Sequence, residues 1–194
     1  MSSGNASMTV GQFRELAGAV LRTIPDDLDP TIAQRWIENQ EELRDALHQA
    51  LKSGGYHLFV NYDESVEDAV KAGHYDWVDQ NINSHNFSTT QKGSRRVEMK
   101  LIHFGRAISS QEALKEIDRM GYRPAELHEI LAFGREYPEV QRKFPIIGLA
   151  SVWRDVRDDA RVPYLDRNGS KRNLNLNWLE NDWNEICRFA ALSK

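Results

Sequence analysis

Up to Gly55, apolar residues recur three and four positions apart, which is the spacing of one face of an α-helix. Polar caps divide this region into three predicted helices. The first follows Thr9 with Gln12, the second follows Asp29-Pro30, and the third runs from Asn39 with Glu42 to Gly54-Gly55. We predict a small packed helical bundle over residues 9–55, preceded by a disordered tail over residues 1–8.

Beyond Gly55 the pattern changes to strands and short helices. Residues 56–62 are aromatic and β-branched, which is typical of a strand, and residues 67–72 suggest a short helix. Residues 74–94 form a long polar connection, in which Trp77 and Phe87 are expected to be buried anchors. Residues 97–104 alternate between apolar and polar, which predicts a strand with one buried face.

The remaining part of the chain predicts two helices followed by several strands. Ser109 with Glu112 caps a helix that ends at Gly121, and a second helix follows it. Their inward positions are expected to be Ala113, Leu114, Ile117 and Met120 in the first helix, and Leu127, Ile130 and Leu131 in the second. Strands are predicted over residues 145–153, 161–165, 172–179 and 185–192, with a hairpin turn at Asn168-Gly169.

Three motifs occur in order along this half: Gly121-x-Arg123 after a helix, Glu129-Ile130 in the next helix, and Cys187-Arg188-Phe189 on the closing strand. Over residues 97–194 this order resembles the C-type-lectin-like fold of the formylglycine-generating-enzyme type. The chain departs from that pattern because Pro124 lies one place early, Glu126 stands where threonine is usual, and the Gly-Gly-Ser-Trp motif is absent. The whole chain also resembles bacterial hypothetical proteins, which implies no function.

The resemblance implies a rigid sheet that holds ligand-binding loops. The expected fold class is therefore α+β: a helical segment over residues 9–55, a connecting region with a strand and a long polar loop over residues 56–96, and a C-type-lectin-like domain with a small, mainly antiparallel sheet over residues 97–194. Such folds carry many functions, so the fold names no ligand. Formylglycine-generating enzymes use cysteine-based or copper chemistry, and a chain with one cysteine has no paired-thiol site.

Composition excludes several classes of protein. The net charge of −4 gives no general attraction to nucleic acid or to anionic membranes. Residues 1–55 carry five basic and eight acidic side chains, which argues against a helix-turn-helix that reads DNA. No run approaches about 18 apolar residues, the length that spans a bilayer. Cys187 is the only cysteine, so no internal disulfide can form, and it is expected to be a buried thiol. Residues 1–7 lack the basic and apolar regions of a signal peptide, and a cytoplasmic location is therefore expected.

The best candidate for a ligand-binding face is the strand predicted over residues 172–179. Asn173, Asn175 and Asn177 alternate there with apolar residues, so they share one face. Asparagine is unfavourable in strands, and a row of three suggests hydrogen bonding to a protein or a glycan. We expect them to form a contact surface together with Arg172 and Asp182. The alternative is a solvated face that resists edge-to-edge aggregation.

Basic residues near the predicted turns suggest a second possibility, a nucleic-acid-associated regulatory factor. The residues concerned are Arg154, Arg157, Arg161, Arg167 and Lys171, next to Arg172. Because aspartates at positions 155, 158, 159 and 166 are interleaved with them, surface ion pairs are the favoured interpretation.

A metal-dependent hydrolase is the third possibility, with a site near His74, Asp76, Asp79 and His85. No two histidines have the i, i+4 spacing of a helical metal site. The chain also lacks a Gly-x-Ser-x-Gly elbow, a phosphate-binding glycine loop and a dinucleotide motif. The segment around Asp182 offers oxygen ligands for calcium, but it has no Glu-Pro-Asn companion. We therefore assign no catalytic residue, metal ligand or cofactor, and predict a non-enzymatic binding or interaction module.

Overall fold

The structure is a computed structural model that describes residues 8–194, except for the side chains of residues 48–53. The tail predicted for residues 1–8 lies outside the described residues, apart from Met8. The chain divides between Lys52 and Ser53 into two compact units. None of the helices in the described part is long and apolar enough to cross a lipid bilayer.

The described part of the first unit consists of helices α1 (Val10–Thr23), α2 (Pro30–Glu38) and α3 (Gln40–Ser53). Their N-terminal caps are the predicted ones: Thr9 with Gln12, Asp29, and Asn39 with Glu42. The predicted packed bundle is not seen in α1 and α2, because neither helix contains a buried residue.

The second unit alternates short helices with strands. In chain order its elements are β1 (Tyr56–Asn61), α4 (Val66–Gly73), β2 (Trp77–Val78), β3 (Ser94–Ile102), β4 (Ile108–Ser109), α5 (Ser110–Arg119), β5 (Tyr122–Pro124), α6 (Leu127–Glu136), α7 (Pro138–Gln141), β6 (Ile146–Ile147), β7 (Trp153–Arg154), β8 (Ala160–Asn168), β9 (Lys171–Trp178), β10 (Asp182–Trp183) and β11 (Arg188–Ser193). The protein is therefore of the α+β class, as the sequence predicts.

Nine strands form one mixed sheet. Its order is β1-β3-β11-β6-β8-β9-β2, with β5 beside β11 and β7 beside β8. Most neighbours are antiparallel, but β6 runs parallel to β11 and β2 runs parallel to β9. The sheet is therefore larger and more mixed than the small, mainly antiparallel sheet that we predicted. Strands β4 and β10 form a separate pair.

Apolar side chains cover both faces of the sheet along its central strands. In β6, Ile146 belongs to one buried cluster and Ile147 to the other. The first cluster includes α6, whose residues from Leu127 to Gly134 are all buried. The second includes Ile117 of α5. Because successive strand residues point to opposite faces, two clusters of this kind give the second unit a core on each side of the sheet.

A buried ion pair ties β5 to α6. The Arg123 guanidinium donates to both carboxylate oxygens of Glu129, at 2.6 and 3.0 Å, and the Tyr62 hydroxyl donates to Glu129 at 2.7 Å. The backbone N–H of Glu126 donates to the same carboxylate at 2.7 Å. The Glu129 side chain is fully buried, so these four hydrogen bonds replace its hydration.

Some predicted placements are wrong. The apolar run over residues 145–153 forms two short strands, β6 and β7, because the backbone N–H of Ala150 turns away to donate to the Ala125 carbonyl. Met120, at the C-terminal end of α5, is 45% exposed. Trp77 is 49% exposed, whereas Phe87 is buried as predicted. The closing strand begins at Arg188 rather than at residue 185.

Candidate functional site

The three asparagines share one face of β9. Leu174 on the opposite face is fully buried, while Asn173, Asn175 and Asn177 are partly exposed. Each is paired across the antiparallel β8–β9 ladder, with Asn173 opposite Asp166 and Asn175 opposite Tyr164. This pairing places an aspartate and a tyrosine on the same face as the asparagine row.

Asp166 is hydrogen-bonded to the row of asparagines. The Asn175 side-chain amide donates to Asp166 Oδ1 at 2.8 Å. Partial burial raises the pKa of the Asp166 carboxyl above its ordinary value, and the amides of Asn175 and Asn173 offset part of that rise. The carboxylate has two oxygens and Asn175 uses only one of its amide donors here, so polar groups remain for a ligand.

An exposed tryptophan stands at the edge of this face. β2 is an outer strand of the sheet, and its parallel pairing with β9 sets Trp77 beside Asn173. Paired residues in neighbouring strands point to the same face. The result is a shallow depression of about 360 Å³, lined by Asp76, Trp77, Asn168, Lys171, Asn173 and Asn175. We call it the edge depression.

The structure corrects the prediction for Arg172, which is 5% exposed and points into the core. Its guanidinium donates to the carbonyl oxygens of Gly73 and Gly134 and to the Gln141 side-chain oxygen. Burial lowers the pKa of Arg172, although a guanidinium remains charged at neutral pH. The acceptors are neutral oxygens, and two of them lie in the last turns of α4 and α6, where the helix dipole favours a cation. Arg172 is thus a structural residue.

The same network fixes the backbone of the asparagine face. The Gln141 amide donates to the carbonyl of Asp166 at 2.7 Å and to that of Asn173 at 3.0 Å. From the edge, Asp76 accepts the backbone N–H of Arg172 at 2.7 Å. Buried partners therefore hold β8, β9 and the start of β2 together behind the edge depression.

Asp182 does not join the predicted contact surface. It is exposed in β10, which pairs with β4 in the separate two-stranded sheet, and it does not line the edge depression. Asn177 lies further along the row, beyond the residues that line the depression. Of the five residues predicted from the sequence, the structure brings Asn173 and Asn175 into one cavity.

Acidic neighbours neutralise part of the arginine cluster that suggested nucleic-acid binding. Arg154 forms an ion pair with Asp158 at 3.4 Å, and Arg161 forms one with Asp155 at 3.3 Å. The Arg161 guanidinium also lies 3.9 Å from the ring centre of Trp178. Arg157 and Arg167 are exposed, and Lys171 lines the edge depression. Ion pairing is the interpretation that the sequence favoured.

Three of the four residues of the predicted metal site have structural roles, and the fourth, His85, is exposed. Asp79 accepts the backbone and side-chain N–H groups of Asn81, both at 2.9 Å, and Asp76 binds the backbone of Arg172. His74 ends α4 with φ of +49°. Among the described residues, no group of three or more histidine, cysteine, aspartate or glutamate side chains is placed to hold a metal ion. Cys187 is buried, and burial raises the pKa of its thiol.

Sequence reasoning missed Trp77, Asp166 and Asp76 as parts of the asparagine face. A single tryptophan within the polar segment over residues 74–94 was the one available signal, and its register with β9 depends on a parallel pairing that sequence patterns do not reveal. Comparison with protein-family models, with curated proteins and with solved structures finds no match for this chain.

Proposed function

We propose that this protein is a non-enzymatic binding module, and that the asparagine face of β8 and β9 contacts a protein or a glycan. The observation that carries the proposal is the row formed by Asn173, Asn175 and Asp166 beside the exposed Trp77. Amides and carboxylates bind by hydrogen bonds, and an exposed tryptophan is enriched at contact surfaces.

Rigidity supports the proposal. A binding site loses less entropy on complex formation when its groups are already held in position. Here Gln141 and Arg172 fasten the backbone directly behind the asparagines. A strand face that only contacts solvent does not require this support. An edge strand that only has to avoid aggregation normally carries charged residues, whereas this one carries the half-exposed Trp77.

We also propose a C-type-lectin-like frame for the second unit. The supporting features are the left-handed Gly121 after α5, with φ of +84°, the Arg123–Glu129 ion pair, and the closing strand β11 between β3 and β6. These features match the order of motifs on which the resemblance rests.

A triple variant tests the proposed function. Replacing Asn173, Asn175 and Asn177 together with alanine is expected to weaken partner capture at least tenfold while changing the melting temperature by only a few degrees. Gln111→Ala with Lys115→Ala, two exposed positions on α5, serves as the control. Capture can be compared by quantitative mass spectrometry of proteins and glycans retained from a lysate of the native host. Equal retention by the wild type and the triple variant would reject the asparagine face.

A further inference from the structure

We propose that the edge depression binds a carbohydrate, with one sugar ring resting on the indole of Trp77 and its hydroxyl groups bonded to Asn173, Asn175 and Asp76. This inference rests on the proposed function and narrows its ligand to one chemical class. A protein partner is the competing outcome.

The first argument is the chemistry of Trp77. The face of an indole carries negative charge density, and the C–H bonds on one side of a pyranose ring form a weakly positive apolar surface. The Trp77 side chain is about half exposed on an edge strand of two residues. An indole in this position presents a platform for a flat ligand, and leaving it in water has a cost that a bound ring would remove.

The second argument is the set of polar groups beside that platform. A sugar hydroxyl donates one hydrogen bond and accepts others, so it binds best where acceptors and donors alternate. Asn173 and Asn175 each supply a carbonyl oxygen and an NH₂ group, and Asp76, which lines the same depression, supplies carboxylate oxygens. The hydrogen bond between Asn175 and Asp166 orients both side chains before a ligand arrives. Lys171, at the rim, adds a further donor.

The charged residues around the edge depression disfavour an anionic ligand, such as one that carries a phosphate or sulfate group. Among the residues that the structure describes, Lys171 is the one basic residue that lines the depression, and Asp76 lines it as well. Asp166 adds a second negative charge on the same face. A phosphate or sulfate group would meet more negative than positive charge here. The expected ligand is therefore a neutral sugar rather than an anionic one.

Size limits the ligand further. A cavity of about 360 Å³ lies at the small end of the range of roughly 300–1,000 Å³ seen for ligand pockets. An open cavity of that size holds one or two sugar rings, with the rest of an oligosaccharide outside. With one stacked ring and a few hydrogen bonds, we expect Kd for a free sugar on the order of 0.1–1 mM, that is, about −4 to −5.5 kcal/mol.

The test begins with an array of neutral and anionic oligosaccharides, probed with the full chain in multimeric form to compensate for weak single-site binding. The neutral glycan bound best is then titrated as a free sugar, with binding followed by NMR. Trp77→Ala should reduce affinity at least tenfold, and Trp77→Phe should retain part of it. Trp178→Ala is the matched control, because Trp178 is a similarly exposed tryptophan on the opposite face of β9.

The outcomes separate this inference from the function on which it rests. Loss of glycan binding in Trp77→Ala and in Asn173→Ala, with binding retained in Trp178→Ala, supports the carbohydrate site. An array without any bound glycan overturns the carbohydrate inference, as does glycan binding that survives Trp77→Ala. In either case, an asparagine triple variant that still loses its captured partner leaves the binding module in place and assigns the face to a protein.

Discussion

Gln141 Oε1 accepts hydrogen bonds from Arg172 Nε at 3.2 Å and from Arg172 Nη2 at 3.0 Å in the core of the second unit. Gln141 thereby links a buried cation to the two strands that carry the candidate site. A cation of this kind is costly to bury, and it is tolerated here because several oriented oxygens surround it. The ring of Tyr75, with its centre 4.9 Å from the guanidinium carbon, adds a cation–π contact.

Replacing Arg172 should therefore destabilise the protein strongly. In Arg172→Met the carbonyl oxygens of Gly73 and Gly134 and the Gln141 side chain lose their donors while they remain buried. We expect a loss of about 3–5 kcal/mol in the free energy of unfolding, measured by chemical denaturation. Arg167→Met is the matched control, because Arg167 faces Arg172 across the ladder but is exposed. Similar losses in both variants would contradict the structural role of Arg172.

Breaking the Arg123–Glu129 pair should also have a large effect. Glu129→Gln leaves the Arg123 cation without its buried counter-charge, and an amide cannot accept from four donors as a carboxylate does. We expect a loss of about 3 kcal/mol in the free energy of unfolding. For Glu112→Gln, which breaks the exposed pair with Arg106, we expect about 1 kcal/mol or less. The ion pair is not a main support of the fold if the two variants unfold at the same denaturant concentration.

Asp166 should give the protein a distinctive dependence of stability on pH. Its pKa is raised in the folded state by burial, so the folded protein binds this proton more tightly than the unfolded chain does. This contribution to stability is most favourable in acid and falls as the pH rises through the folded-state pKa. Asp166→Asn removes it and keeps an acceptor for Asn175. We expect the variant to be as stable as the wild type at pH 7, or more stable by up to about 1 kcal/mol.

Thermal unfolding of both proteins between pH 3 and pH 8 measures this effect. The stability of the wild type relative to Asp166→Asn should increase as the pH is lowered. Asp182→Asn, which changes an exposed carboxylate outside the site, is the control. A wild type that loses stability relative to Asp166→Asn on acidification would show that the carboxylate is favourably held in its charged form.

Local sequence rules predict much of the secondary structure of this protein. Helix starts are specified by side chains within three residues of the cap, and so Thr9, Asp29 and Ser109 mark three of them correctly. The asparagines over residues 172–179 share one face of a strand because successive side chains point to opposite faces, which is also a local rule. Those rules fail where distant segments decide the outcome: the run over residues 145–153 is apolar enough for one long strand, but hydrogen bonding to Ala125 divides it.

The positions of Arg172 and Asp182 show why the site was only partly predicted from the sequence. Alternation puts Arg172 on the face of Leu174, away from the asparagines, yet an arginine at the end of a strand is normally exposed. Its burial depends on oxygens contributed by α4, α6 and α7, which lie far away along the chain. Asp182 is close to β9 in sequence, but it belongs to a different sheet.

The amino-acid sequence by itself determined the caps, the amphipathic helices, the β8–β9 hairpin and the row of asparagines, because each depends on residues within a few positions of one another. Only the tertiary structure decided that Arg172 lies in the core and that Trp77 stands beside Asn173. Both depend on contacts between segments that are separated by at least 30 residues in the chain. Such contacts are selected by the packing of the whole unit, which no short stretch of sequence encodes.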